Sequence, residues 1–113
     1  MKRLGYLFAI LVLFGLTWVT SALAYRNKSV VVTNNTTYTM TNFYASPSSS
    51  SDWSSSTDLL GGQTLAPGQQ ITFNLNDGTR HCHYDLMAIL YGAAQYAYQY
   101  EVNACDGGSW AVP

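Results

Sequence analysis

Charge is scarce in this chain: Asp, Glu, Lys and Arg together make up 10% of its 113 residues. No run or stripe of Lys and Arg is available to neutralise phosphates, which argues against nucleic-acid binding. Cysteine is almost as scarce. Only Cys82 and Cys105 occur, and no C-x-x-C spacing exists from which a structural zinc site could be built. There is no G-x-S-x-G turn to hold a nucleophilic serine. The acids Asp52 and Asp58 stand in a serine-rich stretch where nothing sets the separation that glycoside cleavage requires. No dense run of oxygen ligands suggests calcium. These absences predict a protein that is not an enzyme and carries no cofactor.

The N-terminus, MKRLGYLFAILVLFGLTWVTSALA, is the first positive feature. Lys2 and Arg3 form a short basic region, an apolar run follows, and Ala22-Leu23-Ala24 offers small residues at a cleavage site. This is the layout of a secretory signal peptide. The apolar run is short for a membrane span, which needs roughly 20 residues. The reading is a cleaved signal helix over residues 1–24, membrane contact only before cleavage, and one small domain over 25–113. The product is expected in the periplasm or outside the cell. After cleavage, Arg26, Lys28 and Arg80 face six acidic residues. The sequons at Asn27, Asn34 and Asn35 matter only in a eukaryotic secretory host.

Two cysteines in an exported chain point to a disulfide. Pairing Cys82 with Cys105 closes a loop for which chain-entropy estimates give roughly 3 kcal/mol, a useful staple for a domain with a limited core.

The remaining chain is punctuated like an all-β protein. Tyr25 to Ser29 is polar and expected to fray. Val30-Val31-Val32 is β-branched strand material, and Asn34-Asn35 is a turn signal. "TTYTMTNFYASP" then reads as a second strand, antiparallel to the first and ending before Pro47. Pro67-Gly68 suits the centre of a type II turn. Ile71, Phe73 and Leu75 alternate with polar residues in a half-buried strand. Leu86 to Tyr91 is apolar enough for a central strand covered on both faces. In "QYAYQYEVN", Tyr96, Tyr98, Tyr100 and Val102 share one face, and Gln95, Ala97, Gln99 and Glu101 the other. "SWAV" closes the chain. The expectation is a small antiparallel β-sandwich or barrel-like sheet of about six to seven strands.

Residues 46–62 are rich in serine and read as a surface loop, with Trp53 capping one end of the core. The tyrosine alternation predicts that Tyr96, Tyr98 and Tyr100 line the inward face of the sandwich. If the row faces solvent instead, it forms with Trp53 or Trp110 a recognition surface for sugars or a partner protein.

The order of these signals resembles a group of small exported bacterial proteins without assigned activity. The matching elements are Asn34-Asn35-Thr36, Tyr44-Ala45-Ser46-Pro47, Trp53, Asp58-Leu59-Leu60-Gly61, Leu65-Ala66-Pro67-Gly68, Cys82-His83-Tyr84-Asp85 and Val102-Asn103-Ala104-Cys105. The resemblance implies a small β domain with a disulfide, of bacterial origin, and implies no activity.

The run HCHYD places His81, His83 and Asp85 two residues apart. On a strand they would share a face and could bind zinc or copper through neutral imidazoles. Alternatively, Asp85 makes a structural hydrogen bond and the histidines are simply exposed. Three functions therefore remain in view: a non-catalytic binding or interaction protein with an unknown protein or glycan partner, a periplasmic metal-binding protein using His81, His83 and Asp85, and a carbohydrate-binding module using exposed aromatics.

Overall fold

The computed structural model describes residues 27–113 apart from 51 and 55. The expected signal peptide, residues 1–24, lies outside the described residues. Six strands and no helix are found among them: β1 (Ser29–Asn34), β2 (Met40–Pro47), β3 (Gln70–Asn74), β4 (His83–Leu90), β5 (Ala97–Asn103) and β6 (Gly108–Val112). They form two three-stranded sheets, in the orders β3-β1-β6 and β2-β4-β5. The all-β sandwich read from the sequence is therefore the observed fold, although β6 runs parallel to β1.

β1 and β2 do not form the expected hairpin. β1 pairs with β3 and β6, and β2 pairs with β4 in the other sheet. The buried Asn34 side chain explains the change of sheet. Its amide donates to the carbonyls of Tyr38 and Leu65 at 2.8 and 3.0 Å. Its oxygen accepts from the Thr36 amide and hydroxyl. These bonds hold the chain in a corner over residues 34–38, a common use of Asn in place of regular pairing. Pro67-Gly68 forms the centre of a turn as expected, with Gly68 at φ 83° and Gln69 N donating to Ala66 O at 3.0 Å, and the Gly68 amide donates to Asn34 O.

The core lies between the sheets. Val30 and Val32 of β1, Phe73 of β3 and Val112 of β6 meet Phe43, Leu86, Ala88 and Leu90 of the other sheet. Phe43 and Phe73 stack at 4.3 Å, and Phe43 lies 6.4 Å from Trp110. Trp110 is 7% exposed, so it is a core residue and not part of a binding surface. An extra residue at Thr41 shifts the β2–β4 register between Met40 and Asn42. The bulge lets Met40 and Phe43 both reach the core and turns Tyr44 outward.

β4 and β5 form a hairpin closed at its open end by the Cys82–Cys105 disulfide, with a Cα–Cα distance of 5.1 Å. β4 is central in its sheet, as expected. The facing of β5 is the reverse of the expected one. Ala97 lies opposite the buried Ala88 and packs against the core, while Tyr98 lies opposite Met87, which in turn lies opposite Tyr44 on the outer face. Tyr96, Tyr98 and Tyr100 are 54%, 43% and 60% exposed. The β4–β5 register shifts between Tyr84 and Leu86, where Tyr100 and Glu101 together oppose Asp85. Glu101 adopts φ 55°, and its amide donates to Asp85 Oδ1 at 3.0 Å. This bulge separates Val102 from the tyrosine row and places it opposite the buried Tyr84.

Gly108 begins β6 directly beside the end of β5. A Cβ at this position would stand 2.6 Å from Val102 Cγ1 and 3.0 Å from Asn103 O. Gly108→Ala is therefore expected to destabilise the fold by about 1–3 kcal/mol. Adding Val102→Ala should recover only part of the loss, because the Asn103 carbonyl remains in the way. Chemical denaturation of the single and double variants measures both.

Candidate functional site

Two features stand out: an aromatic outer surface on the β2-β4-β5 sheet, and a buried charged network at one end of the sandwich. The outer surface follows from strand alternation. Asn42 and Tyr44 on β2, Met87 and Ile89 on β4, and Tyr98 on β5 share the face that points away from the core. Tyr98 and Tyr100 stack at 5.9 Å with rings 3° from parallel. Trp53 packs against Tyr98 at 6.2 Å, its ring tilted by 58°. A shallow open groove of about 550 Å³ runs along Ala94, Gln95, Tyr96 and Tyr98.

Trp53 therefore does not cap the core; it is half-buried on the outer face. The serine-rich segment carries it there. The Asp52 carboxylate accepts from the Ser54 hydroxyl and amide at 2.6 and 3.0 Å, and these bonds hold it below the usual carboxylate range. Ser46 Oγ, itself buried, donates to Asp52 O. Further along, Phe43 N donates to Asp58 Oδ1 at 2.9 Å, and Leu59 N donates to Phe43 O at 2.8 Å. Leu60 then enters the core. The segment is stitched along the free edge of β2, and the stitching presents the indole.

The charged network was not legible as a site. Lys28 precedes β1 in a segment read as polar and frayed, yet its side chain is 0% exposed. Its ammonium donates to Asp77 Oδ1 and to the Tyr84 hydroxyl, both at 2.6 Å. Thr79 supplies a carbonyl and a hydroxyl at 3.3 Å. Tyr84 in turn donates to Asp77 Oδ2 at 2.7 Å, and the ammonium lies 5.1 Å from the Tyr84 ring centre. Asp77 also accepts from the Thr79 amide and hydroxyl. A cleft of about 160 Å³, lined in part by Asp77, Tyr84 and Leu59, adjoins the network.

Burial alone would lower the Lys28 pKa, but the bonds to Asp77 and Tyr84 outweigh it and raise the value. Burial would raise that of Asp77, but Lys28, Thr79 and Tyr84 together hold its carboxyl well below the usual range. Burial and the neighbouring Asp77 carboxylate push the Tyr84 hydroxyl up, against the opposing pull of Lys28. Each group is thus held in its ordinary charge state. A lysine nucleophile or a general base needs the opposite shift. The geometry serves to lock strands together.

The histidine row does not assemble. His81 lies in the loop before β4 and His83 begins the strand, and both side chains are exposed. Asp85 is buried, accepting from Ser48 Oγ at 2.7 Å and from Glu101 N. No group of three His, Cys, Asp or Glu side chains able to hold a metal ion occurs among the described residues. Asp85 thus pins the loop after β2 and the β5 bulge to β4.

Comparison with known protein families, with characterised proteins and with solved structures gives no match.

The network makes an asymmetric prediction. Asp77→Ala strands a fully buried ammonium and should cost about 3 kcal/mol or more. Lys28→Met should cost less, because the Asp77 carboxylate is 38% exposed and can hydrate. Since the folded-state pKa of Asp77 is depressed, its contribution is complete above the unfolded carboxylate value, near pH 4, and is lost as pH falls through the folded value. The stability gap between the natural chain and Asp77→Asn should therefore be flat near neutrality and narrow in acid. Urea titrations from neutral to acidic pH measure it.

Proposed function

We propose that this chain is a small exported, non-catalytic binding protein whose outer β2-β4-β5 face takes an extended glycan. The observation that carries the reading is the exposed Tyr96-Tyr98-Tyr100 row with Trp53 packed against it. Aromatic side chains on a rigid sheet offer apolar area at little entropic cost. The apolar face of a sugar ring packs on such rings while its hydroxyls reach polar groups beside them. Gln95 supplies an amide along the groove, and Asn42 and Asp58 lie together beside Tyr44. An open groove suits a chain that lies along the surface more than a small molecule that must be enclosed. The low charge of the domain suits a neutral ligand.

Export is supported by the N-terminal signal layout and by a disulfide compatible with an oxidising compartment. The resemblance to small exported bacterial proteins favours a periplasmic or extracellular bacterial setting. A non-catalytic role is supported by the Lys28–Asp77 pair, whose mutual bonds hold both groups in their ordinary charge states rather than poising either as nucleophile or base.

Affinity electrophoresis of the chain from Tyr25 onward through gels containing neutral polysaccharides tests the proposal. At least one polysaccharide should retard the protein. Trp53→Ala and Tyr100→Ala should each weaken that binding about tenfold or more while the protein still melts as a cooperative fold. No retardation across neutral plant, fungal and bacterial polysaccharides, or retardation unaffected by both variants, would overturn it.

A further inference from the structure

The four sheet edges are treated differently. The free edge of β2 is stitched to the 56–59 segment, including a bond from Ser56 Oγ to Ala45 O, and Met40 exchanges backbone bonds with Leu65. β3 is five residues long and presents Gln70, Thr72 and Asn74 to solvent. β6 is equally short and is followed by Pro113. β5 has seven residues, pairs only with β4 among the described residues, and carries the most exposed aromatic surface. A long unpaired edge with apolar side chains is what folded proteins usually blunt or cover. Among the described residues, no strand pairs with this edge from Ala97 to Tyr100. Only at Glu101 do a charge and a bulge interrupt it.

The sequence of that stretch is nearly symmetric about Tyr98. Gln95-Tyr96-Ala97 precedes it and Gln99-Tyr100-Glu101 follows. An antiparallel copy centred on Tyr98 would therefore place Tyr98 opposite Tyr98 and Ala97 opposite Gln99, and bring Tyr96, the residue just before β5, towards Tyr100. Residues directly opposite share a face, so Tyr98 and Tyr100 of both copies would stand on the same outer surface, with the two Tyr98 side chains as an aromatic cross-strand pair. A register slipped by one residue would set tyrosines opposite glutamine or alanine, on opposite faces of the sheet.

We infer that the β5 edge pairs with a second copy of this chain, two-fold at Tyr98, joining two β2-β4-β5 sheets into one six-stranded sheet. The contact is isologous and closed, since each β5 edge is used up by its partner. It doubles the aromatic row without covering its outer face. The inference goes beyond the glycan reading: a monomer would leave that reading intact, and a dimer would survive its failure.

Sedimentation equilibrium of the chain from Tyr25 onward, over a range of concentrations, should give a monomer–dimer equilibrium. Amide hydrogen exchange at residues 96–100 should slow as concentration rises, a readout that requires no variant. Tyr98→Lys and Tyr98→Glu should each weaken dimerisation at least about tenfold, since like charges then meet at the two-fold axis. Their mixture should recover the dimer, as lysine faces glutamate. Circular dichroism melting of both variants confirms the fold. A chain that stays monomeric at millimolar concentration would overturn the inference. So would open-ended fibres in place of dimers, or a mixture no better associated than either variant alone.

Discussion

A buried ammonium holds one end of this sandwich together. Lys28 belongs to the start of the β3-β1-β6 sheet, whereas Tyr84 belongs to the central strand of the other, and Asp77 lies in the loop between β3 and β4. A charge removed from water is tolerated only when its partners are in place. Once Lys28 is buried, the 77–79 loop and β4 must therefore come to it. The Lys28 backbone adds to the constraint: its amide donates to Asn76 Oδ1, and its carbonyl accepts from Leu75 N. The disulfide lies at the same end. Ala104, beside Cys105, accepts from Ser29 N and donates to Cys82 O. Ion network, disulfide and backbone bonds thus fasten β1, β4 and β5 within a few residues of one another.

The opposite end is held by a neutral group. Asn34 binds two backbone carbonyls and the Thr36 turn, and so routes the chain from one sheet to the other. With both ends fixed by polar groups, the core between them is filled by aliphatic side chains and Trp110 around the Phe43–Phe73 stack. The tyrosines of β5 are left outside. That division of labour connects the folding problem to the functional one, because the aromatic surface is not required to fill the core.

Strand content, turn positions and the disulfide were legible because each rests on local chemistry: β-branched runs, Pro-Gly and Asn turns, and a lone cysteine pair behind a signal-like N-terminus. The facing of β5 was not. Alternation states that two faces differ, and it does not say which one is wet. Val102 does face the core, and an unbroken alternation assigns the tyrosines to its side. The Glu101 bulge separates them, and nothing in "QYEVN" marks that bulge except the distant Asp85 that caps it. The places of Trp53, expected to cap the core, and of Trp110, offered for the outer surface only if the tyrosine row faced solvent, were hidden for a similar reason. Burial of a tryptophan depends on the sheet that receives it, and the segment carrying Trp53 is positioned by bonds from Phe43 N to Asp58 and from Ser46 Oγ to the Asp52 carbonyl, both reaching back to β2. Lys28 was hidden because its partners are about fifty positions away.

The central claim is that Tyr84 is locked inside with Lys28 while the β5 tyrosines are outside. Tyrosine nitration of the folded protein, mapped by mass spectrometry, reads both halves at once. Tyr96, Tyr98 and Tyr100 should react readily, and Tyr84 should remain unmodified until the protein unfolds. Early nitration of Tyr84 with protection of the β5 row would contradict the account and restore the inward-facing tyrosine ladder that the alternation alone suggests.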